Sequence, residues 1–204
     1  MNKIILVGGV YGSGKSTLGR EMEGQALVVD YDRITGDGNG IKKTTEQRNS
    51  IRQETWNHLF LNALINSVRS GNPITIGIGT FTTRERRDRY FDALSKEGDV
   101  FGLYYMLPMR ETIARIRNSR ITDDKLVNVE TVLEFYKTHN KVLRAQDNTD
   151  LAVPANTPKE YMSLLRLSGY APKPQVQRWQ VITKPLSVAD IQSSLALPAR
   201  LSVA

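Results

Sequence analysis

The segment Gly9-Val10-Tyr11-Gly12-Ser13-Gly14-Lys15-Ser16 fits G-x-x-x-x-G-K-[ST] at every fixed position, and it follows the apolar run Ile4-Ile5-Leu6-Val7 directly. A strand that breaks into this loop and reopens as a helix fits few folds. Gly12 and Gly14 let the backbone curl so that successive N–H groups point inward, making a nest for phosphate oxygens. Lys15 brings a point charge to the β- and γ-phosphates, and Ser16 offers a hydroxyl to Mg²⁺. Thr17 opens a helix whose positive N-terminus faces the same phosphates. Gly9, Tyr11, Gly12, Ser13, Gly14, Lys15, Ser16 and Thr17 are therefore expected to hold a nucleoside triphosphate, ATP, with Mg²⁺. A Rossmann dinucleotide loop is excluded, because Thr17 stands where its third glycine belongs.

Beyond the loop, strand-like and helix-like stretches alternate, which predicts a P-loop NTPase-type α/β fold, a parallel sheet with helices on both faces. Ala26–Val29, Ile74–Ile78, Val100–Met106 and Trp179–Thr183 read as the second to fifth strands. Trp56, Leu59, Phe60, Ala63, Leu64 and Val68 recur at helical spacing on one long helix closed by Gly71. Thr82 with Glu85 makes a capping box for the next helix, and Thr157-Pro158-Lys159-Glu160 makes another helix start. Arginine-rich Met109 to about Arg120 reads as a helix, Val129–Tyr136 as one capped by Asn128, and Ser187 as the cap of a short last helix. Gly36-Asp37-Gly38-Asn39-Gly40 is a glycine-rich loop without calcium-site spacing, and residues 147–157 read as a linker. The expected organisation is a core with a lid over residues 1–150 and an extension over 151–204 that completes either the sheet or the substrate site.

At 204 residues the chain has room for one sizeable core. It has no cysteine, which excludes disulfides and thiolate metal sites, and no run near the ~18 apolar residues of a membrane span. A soluble, cytoplasmic protein with no membrane partner is expected. The net charge of +7 favours polyanionic partners. It is concentrated in two places: Arg110, Arg115, Arg117 and Arg120 face only Glu111, while Lys159, Arg166, Lys173, Arg178, Lys184 and Arg200 face only Glu160 and Asp190.

A phosphate loop serves motors, switches and kinases alike. A kinase needs a carboxylate near the γ-phosphate to orient and deprotonate the acceptor hydroxyl. Asp30 and Asp32 lie at the carboxyl end of the second strand, the edge where ligands bind in open α/β sheets. If that strand runs on, alternation puts both on one face, ready for metal or substrate.

At this point the chain resembles a known family. The opening Met-Asn-Lys-Ile-Ile-Leu with Gly-Ser-Gly-Lys-Ser-Thr, then Asp30-Tyr31-Asp32-Arg33, Thr80, Glu85-Arg86-Arg87, Glu111 to Arg120 and Val129–Tyr136 follow in the order of the kinase domain of bacteriophage polynucleotide 5′-kinase. The resemblance spans roughly residues 1–140. It implies Asp30 as general base and metal neighbour, and Arg33 as the grip on a substrate phosphate. Asp32, Thr80 and Arg87 are expected beside the substrate, and Arg115, Arg117 and Arg120 on a lid that closes over the ATP phosphates. Two departures stand out: Gly79 replaces an aspartate of that family, and its phosphatase domain is missing. A kinase for the hydroxymethyl group of 5-hydroxymethyluracil within DNA suits the lost aspartate and the basic tail from Leu151 that replaces the phosphatase domain. The expectation is an ATP-dependent nucleic-acid kinase acting on DNA or RNA, with the 5′-hydroxyl end favoured. A base-hydroxymethyl kinase, a small-molecule kinase and a non-catalytic nucleotide-dependent adaptor stay open.

Overall fold

Ile4, Ile5, Leu6 and Val7 are all buried because β1 (Lys3–Gly9) lies in mid-sheet with helices on both sides. The computed structural model describes residues 2–10, 12–35, 53–118 and 129–196. In chain order, β1 leads to α1 (Lys15–Glu21), β2 (Leu27–Asp30), α2 (Tyr31–Ile34), α3 (Gln53–Arg69) and β3 (Ile74–Ile78). Then come α4 (Arg84–Leu94), β4 (Asp99–Tyr105), α5 (Met109–Asn118), α6 (Val129–Ala145) and β5 (Leu151–Ala152). The last elements are α7 (Lys159–Leu167), a 3₁₀ turn at Pro174–Val176, β6 (Trp179–Ile182) and α8 (Val188–Ala196). The six strands stand in the order β2-β3-β1-β4-β6-β5, every neighbouring pair parallel. This is the P-loop NTPase-type α/β fold expected.

Alternation along β1 separates two cores. Ile4 and Leu6 face Phe60 and Leu64 of α3, Tyr90 of α4, Tyr136 of α6 and Tyr161 of α7. Ile5 and Val7 face Leu18 and Met22 of α1 and Ile191 of α8. Parallel strands joined by crossover helices place every strand's carboxyl end on one edge, and the phosphate loop leaves β1 at that edge between β3 and β4. Among the described residues, no helix is long and apolar enough to cross a membrane.

Several local expectations are corrected. The second strand does not run on through Asp32: Asp30 caps α2, its Oδ1 accepting from the Asp32 amide at 2.9 Å, so the two carboxylates do not share a strand face. Thr83, not Thr82, caps α4, by accepting from the Arg86 amide at 3.2 Å. The Thr157 box does not form, because the Thr157 hydroxyl donates to Pro154 O and Glu160 reaches the Met109 amide. Leu59 stays 45% exposed, so the buried stripe of α3 is Trp56, Phe60, Leu64 and Val68. Ser187 does cap α8, trading bonds with Asp190. The loop at 36–40, Asn128 and Arg200 lie outside the described residues.

The segment read as a linker is pinned in the core. Asn148, Thr149 and Asp150 are buried, and Leu151–Ala152 adds β5 at the sheet edge beside β6. Asp150 forms a two-point ion pair with Arg87 of α4, Nε–Oδ2 at 2.5 Å and Nη2–Oδ1 at 2.8 Å, and both side chains are fully buried. Removing one partner of such a pair strands the other charge, at a cost of about 3–5 kcal/mol. Asp150→Ala is therefore expected to lower Tm by roughly 10 °C or more, measured by thermal unfolding. A fall of only a degree or two would show that the pair holds nothing in place.

Candidate active site

The phosphate loop has the backbone a nest needs. Gly12 and Gly14 have φ of 75° and 98°, and Gly14 caps α1 in the left-handed conformation with no side-chain bond to the first-turn amides. Those amides are left for a ligand, which fits a phosphate. Lys15 Nζ donates to Val10 O at 2.6 Å and to Ser13 Oγ at 3.4 Å, and Ser13 itself is buried on Val10 O. Gly9 lies at φ 123°, against the Tyr105 backbone of β4, and Thr17 is exposed on the first turn of α1. Tyr11 lies outside the described residues.

Ser16 joins this loop to the second strand. Its hydroxyl donates to Asp30 Oδ2 at 3.1 Å, so the predicted metal-holding pair is in contact. Among the described residues no group of three or more His, Cys, Asp or Glu side chains is arranged to hold a metal. One hydroxyl and one carboxylate beside a phosphate nest suit Mg²⁺, which keeps waters and takes phosphate oxygens as its remaining ligands. Asp32 lies in the first turn of α2, and its charge reaches Lys15. Arg33 does not turn toward this cluster: its Nη2 pairs with Glu23 Oε1 at 3.0 Å on the surface.

The far wall is the end of β3. Gly79 N donates to Val7 O and Gly9 N donates to Thr80 O, both at 3.1 Å, so exposed Thr80 lies alongside the start of the phosphate loop. Phe81, which follows it, has φ +45° and is fully buried. That conformation costs a non-glycine residue about 1–3 kcal/mol. Packing on Tyr90 (5.2 Å between ring centres) and Trp179 (5.1 Å) offsets it. Its ring fills the space beside Gly79, where an added Cβ would meet it at 3.1 Å. Arg87 is a correction. Expected at the substrate, it is fully buried on Asp150, Asn148 and the Phe81 and Thr82 carbonyls, with no surface left for a ligand. Its neighbour Arg86, quoted only as part of the Glu85-Arg86-Arg87 run, reaches Thr80 instead, with Nη1 3.4 Å from Oγ1. Helical spacing on α4 carried the signal, since Arg87, Tyr90 and Leu94 form the inward stripe and Arg86 falls beside it.

Arg115 of α5 reaches the phosphate loop. A Cβ on Gly14 would lie 2.8 Å from its Nη2, so glycine there serves both the turn and this approach. The Arg117 side chain and Arg120 lie outside the described residues.

Burial pushes the Lys15 ammonium down to about 8, against a weaker upward pull from Asp32 and Asp30. The charged form is therefore the costly one in the free protein, and stability should rise as pH climbs through about 8 toward the unfolded value of 10.5. A triphosphate favours the charged form. Nucleotide affinity is thus expected to be flat below about pH 8 and to fall roughly tenfold per pH unit above it, with proton uptake on binding. Calorimetry at about pH 9 in two buffers of different ionisation heat measures that proton. Equal heats in both buffers would contradict it.

Residues 4–149 match the AAA domain family, and the chain belongs to that family. Among solved structures, a chain of the Pnkp1/Rnl/Hen1 RNA repair complex aligns with 69% of this chain and 45% of its own length, at 15% identity and a TM-score of 0.53. This chain thus spans less than half of that one. The tunicamycin resistance protein of Deinococcus radiodurans aligns over 85% of this chain and 100% of its own, at 16% identity and a TM-score of 0.46. Shikimate kinase from Acinetobacter baumannii, in complex with shikimate, aligns over 96% and 90%, at 19% identity and 0.49. No curated protein sequence matches. The likeness is one of fold, a P-loop NTPase-type α/β fold.

Proposed function

We propose that this member of the AAA domain family is an ATP- and Mg²⁺-dependent kinase that moves the γ-phosphoryl group onto a hydroxyl of DNA or RNA, the 5′-hydroxyl end being the favoured acceptor. One observation carries the reading. Lys15, Ser16, Asp30 and Arg115 converge on the phosphate loop at the carboxyl edge of the sheet, with Thr80 beside them. When bound, ATP and Mg²⁺ supply the transferable group and neutralise its charge. The loop amides from Gly12 to Thr17, with Lys15, hold the β- and γ-phosphates, and Ser16 and Asp30 hold the metal. Asp30 takes the proton from the acceptor hydroxyl as the new O–P bond forms and the bond to the β-phosphate oxygen breaks, releasing ADP. Asp32 and Thr80 border the acceptor, and Arg33, once released by Glu23, meets a strand phosphate. Arg115, with Arg117 and Arg120 on the same segment, stabilises the charge of the moving group.

The net charge of +7 supports a polyanionic acceptor. One sequence observation favours a base-hydroxymethyl acceptor as the second reading. Gly79 stands where the polynucleotide-kinase family that the chain resembles carries an aspartate, so the acceptor wall lacks that carboxylate. Labelled ATP with a panel of acceptors tests both. A 5′-hydroxyl oligonucleotide should be labelled and one blocked at that end should not. Labelling confined to internal 5-hydroxymethyluracil would replace the first reading by the second. Labelling of small alcohols alone, unaffected by added DNA or RNA, would overturn both.

A further inference from the structure

The root of α5 is held from the part of the chain beyond residue 149, outside the family match. Ile182 O of β6 accepts from the Met106 amide at 2.9 Å, which fixes the chain as it leaves β4. One residue on, Leu107 O accepts from the Tyr161 hydroxyl of α7 at 3.0 Å. The first-turn amides of a helix have no partner within it, and Glu160 Oε1 of α7 accepts from that of Met109 at 3.2 Å. From α6, the Tyr136 hydroxyl meets Thr112 Oγ1 at 2.8 Å and Leu107 O at 3.3 Å. Tyr161 and Thr112 are fully buried, and Tyr136 nearly so. Burial raises both phenols from their ordinary value, so they stay protonated donors.

Arg115 lies one turn beyond Thr112 and is the side chain with which α5 meets Gly14 of the phosphate loop. A guanidinium serves a moving charge only from a fixed place, and a misplacement of about 1 Å can cost a hundredfold in rate. A helix that leaves a sheet edge can swing as a unit unless its first turn is tied down. Here the ties at Met106, Leu107 and Met109 come from β6 and α7.

We infer that Tyr161 and Glu160 are positioning residues that mount α5 so that Arg115 reaches the phosphate loop, which makes the segment beyond residue 150 part of the transfer machinery. The inference rests on the kinase reading and not on the choice of acceptor. Both residues act through Arg115, so their loss falls on kcat rather than on acceptor capture.

A double-mutant cycle with Arg115→Ala, read by transfer from labelled ATP to whichever acceptor of the panel the wild type uses, provides the test. Tyr161→Phe, which removes only the hydroxyl, should lower kcat about three- to tenfold and leave KM for the acceptor unchanged. Glu160→Ala, at an exposed position, should lower kcat about two- to fivefold. Glu160→Gln keeps an oxygen for the Met109 amide and should recover most of that loss. In the Arg115→Ala background neither Tyr161→Phe nor Glu160→Ala should cost anything more. Tyr170→Phe removes a comparable bond, to Leu151 O at 2.9 Å, and should keep wild-type kcat whatever it does to Tm. Hydrogen exchange in the free protein reads the mount without turnover. The α5 amides up to Arg115 should exchange several-fold faster in Tyr161→Phe and Glu160→Ala, and at the wild-type rate in Tyr170→Phe. Wild-type kcat in the folded variants, the same fold loss with and without Arg115, or unchanged α5 exchange overturns the inference while leaving the kinase reading intact. No labelling of any acceptor by the wild-type protein overturns the reading and the inference together.

Discussion

Lys15→Ala is expected to give a folded protein whose phosphoryl transfer is slowed by two orders of magnitude or more. The side chain belongs to neither core, and its ammonium is held over the loop by the Val10 carbonyl and Ser13 hydroxyl. Removing it deletes a desolvated charge, so the unfolding midpoint should hold or rise below about pH 8, where burial disfavours the charged form. The catalytic effect has the opposite sign. The same charge is set in advance to meet the β- and γ-phosphate oxygens, and losing one such donor typically costs about 10²–10³ in rate. Transfer rate and thermal unfolding, measured on one preparation, separate the two effects. Near-normal turnover in the folded variant would remove the kinase reading.

Asp30→Asn carries an expected effect of at least comparable size. Asparagine keeps the Oδ1 that accepts from the Asp32 amide, so α2 remains capped and the strand end stays in place. It loses the basicity needed to take the acceptor proton and the charge beside Ser16. The expected loss in kcat is roughly 10²–10⁴, with nucleotide binding largely retained. Asp32→Asn should lose far less, because Asp32 sits on the first turn of α2 while Asp30 touches the phosphate loop. The reverse order would move the base by two residues, and small equal effects would reduce both to turn formers. Single-turnover kinetics with saturating ATP distinguishes these outcomes.

The phosphate loop and the parallel sheet were legible in the sequence because both are local. Fixed glycines impose the turn, and buried parallel strands read as apolar runs such as Ile4–Val7. Asp30 was legible for the same reason, since it ends such a run. The rest depended on long-range pairing. Neither Arg87 nor Asp150 shows by itself that the two form a buried pair 63 positions apart, so one was expected at the substrate and the other in a linker. β5 is two residues long, too short for periodicity to register. Arg86 differs from Arg87 by one position on a helix, a rotation that sends one guanidinium toward the core and the other to the exposed Thr80 hydroxyl. The capping errors at Thr82 and Thr157 are slips of one residue or a competing bond, which local sequence cannot rank.

The cluster of Lys15, Ser16, Asp30 and Arg115 is proposed to transfer a phosphoryl group from ATP to a nucleic-acid hydroxyl. Its most direct test is mass spectrometry of a short 5′-hydroxyl oligonucleotide after incubation with the protein, ATP and Mg²⁺, with fragments mapped along the strand. The expected result is the mass gain of one phosphoryl group, confined to the 5′-terminal fragment and absent with Asp30→Asn. ATP consumption with no phosphoryl group on any fragment would contradict it.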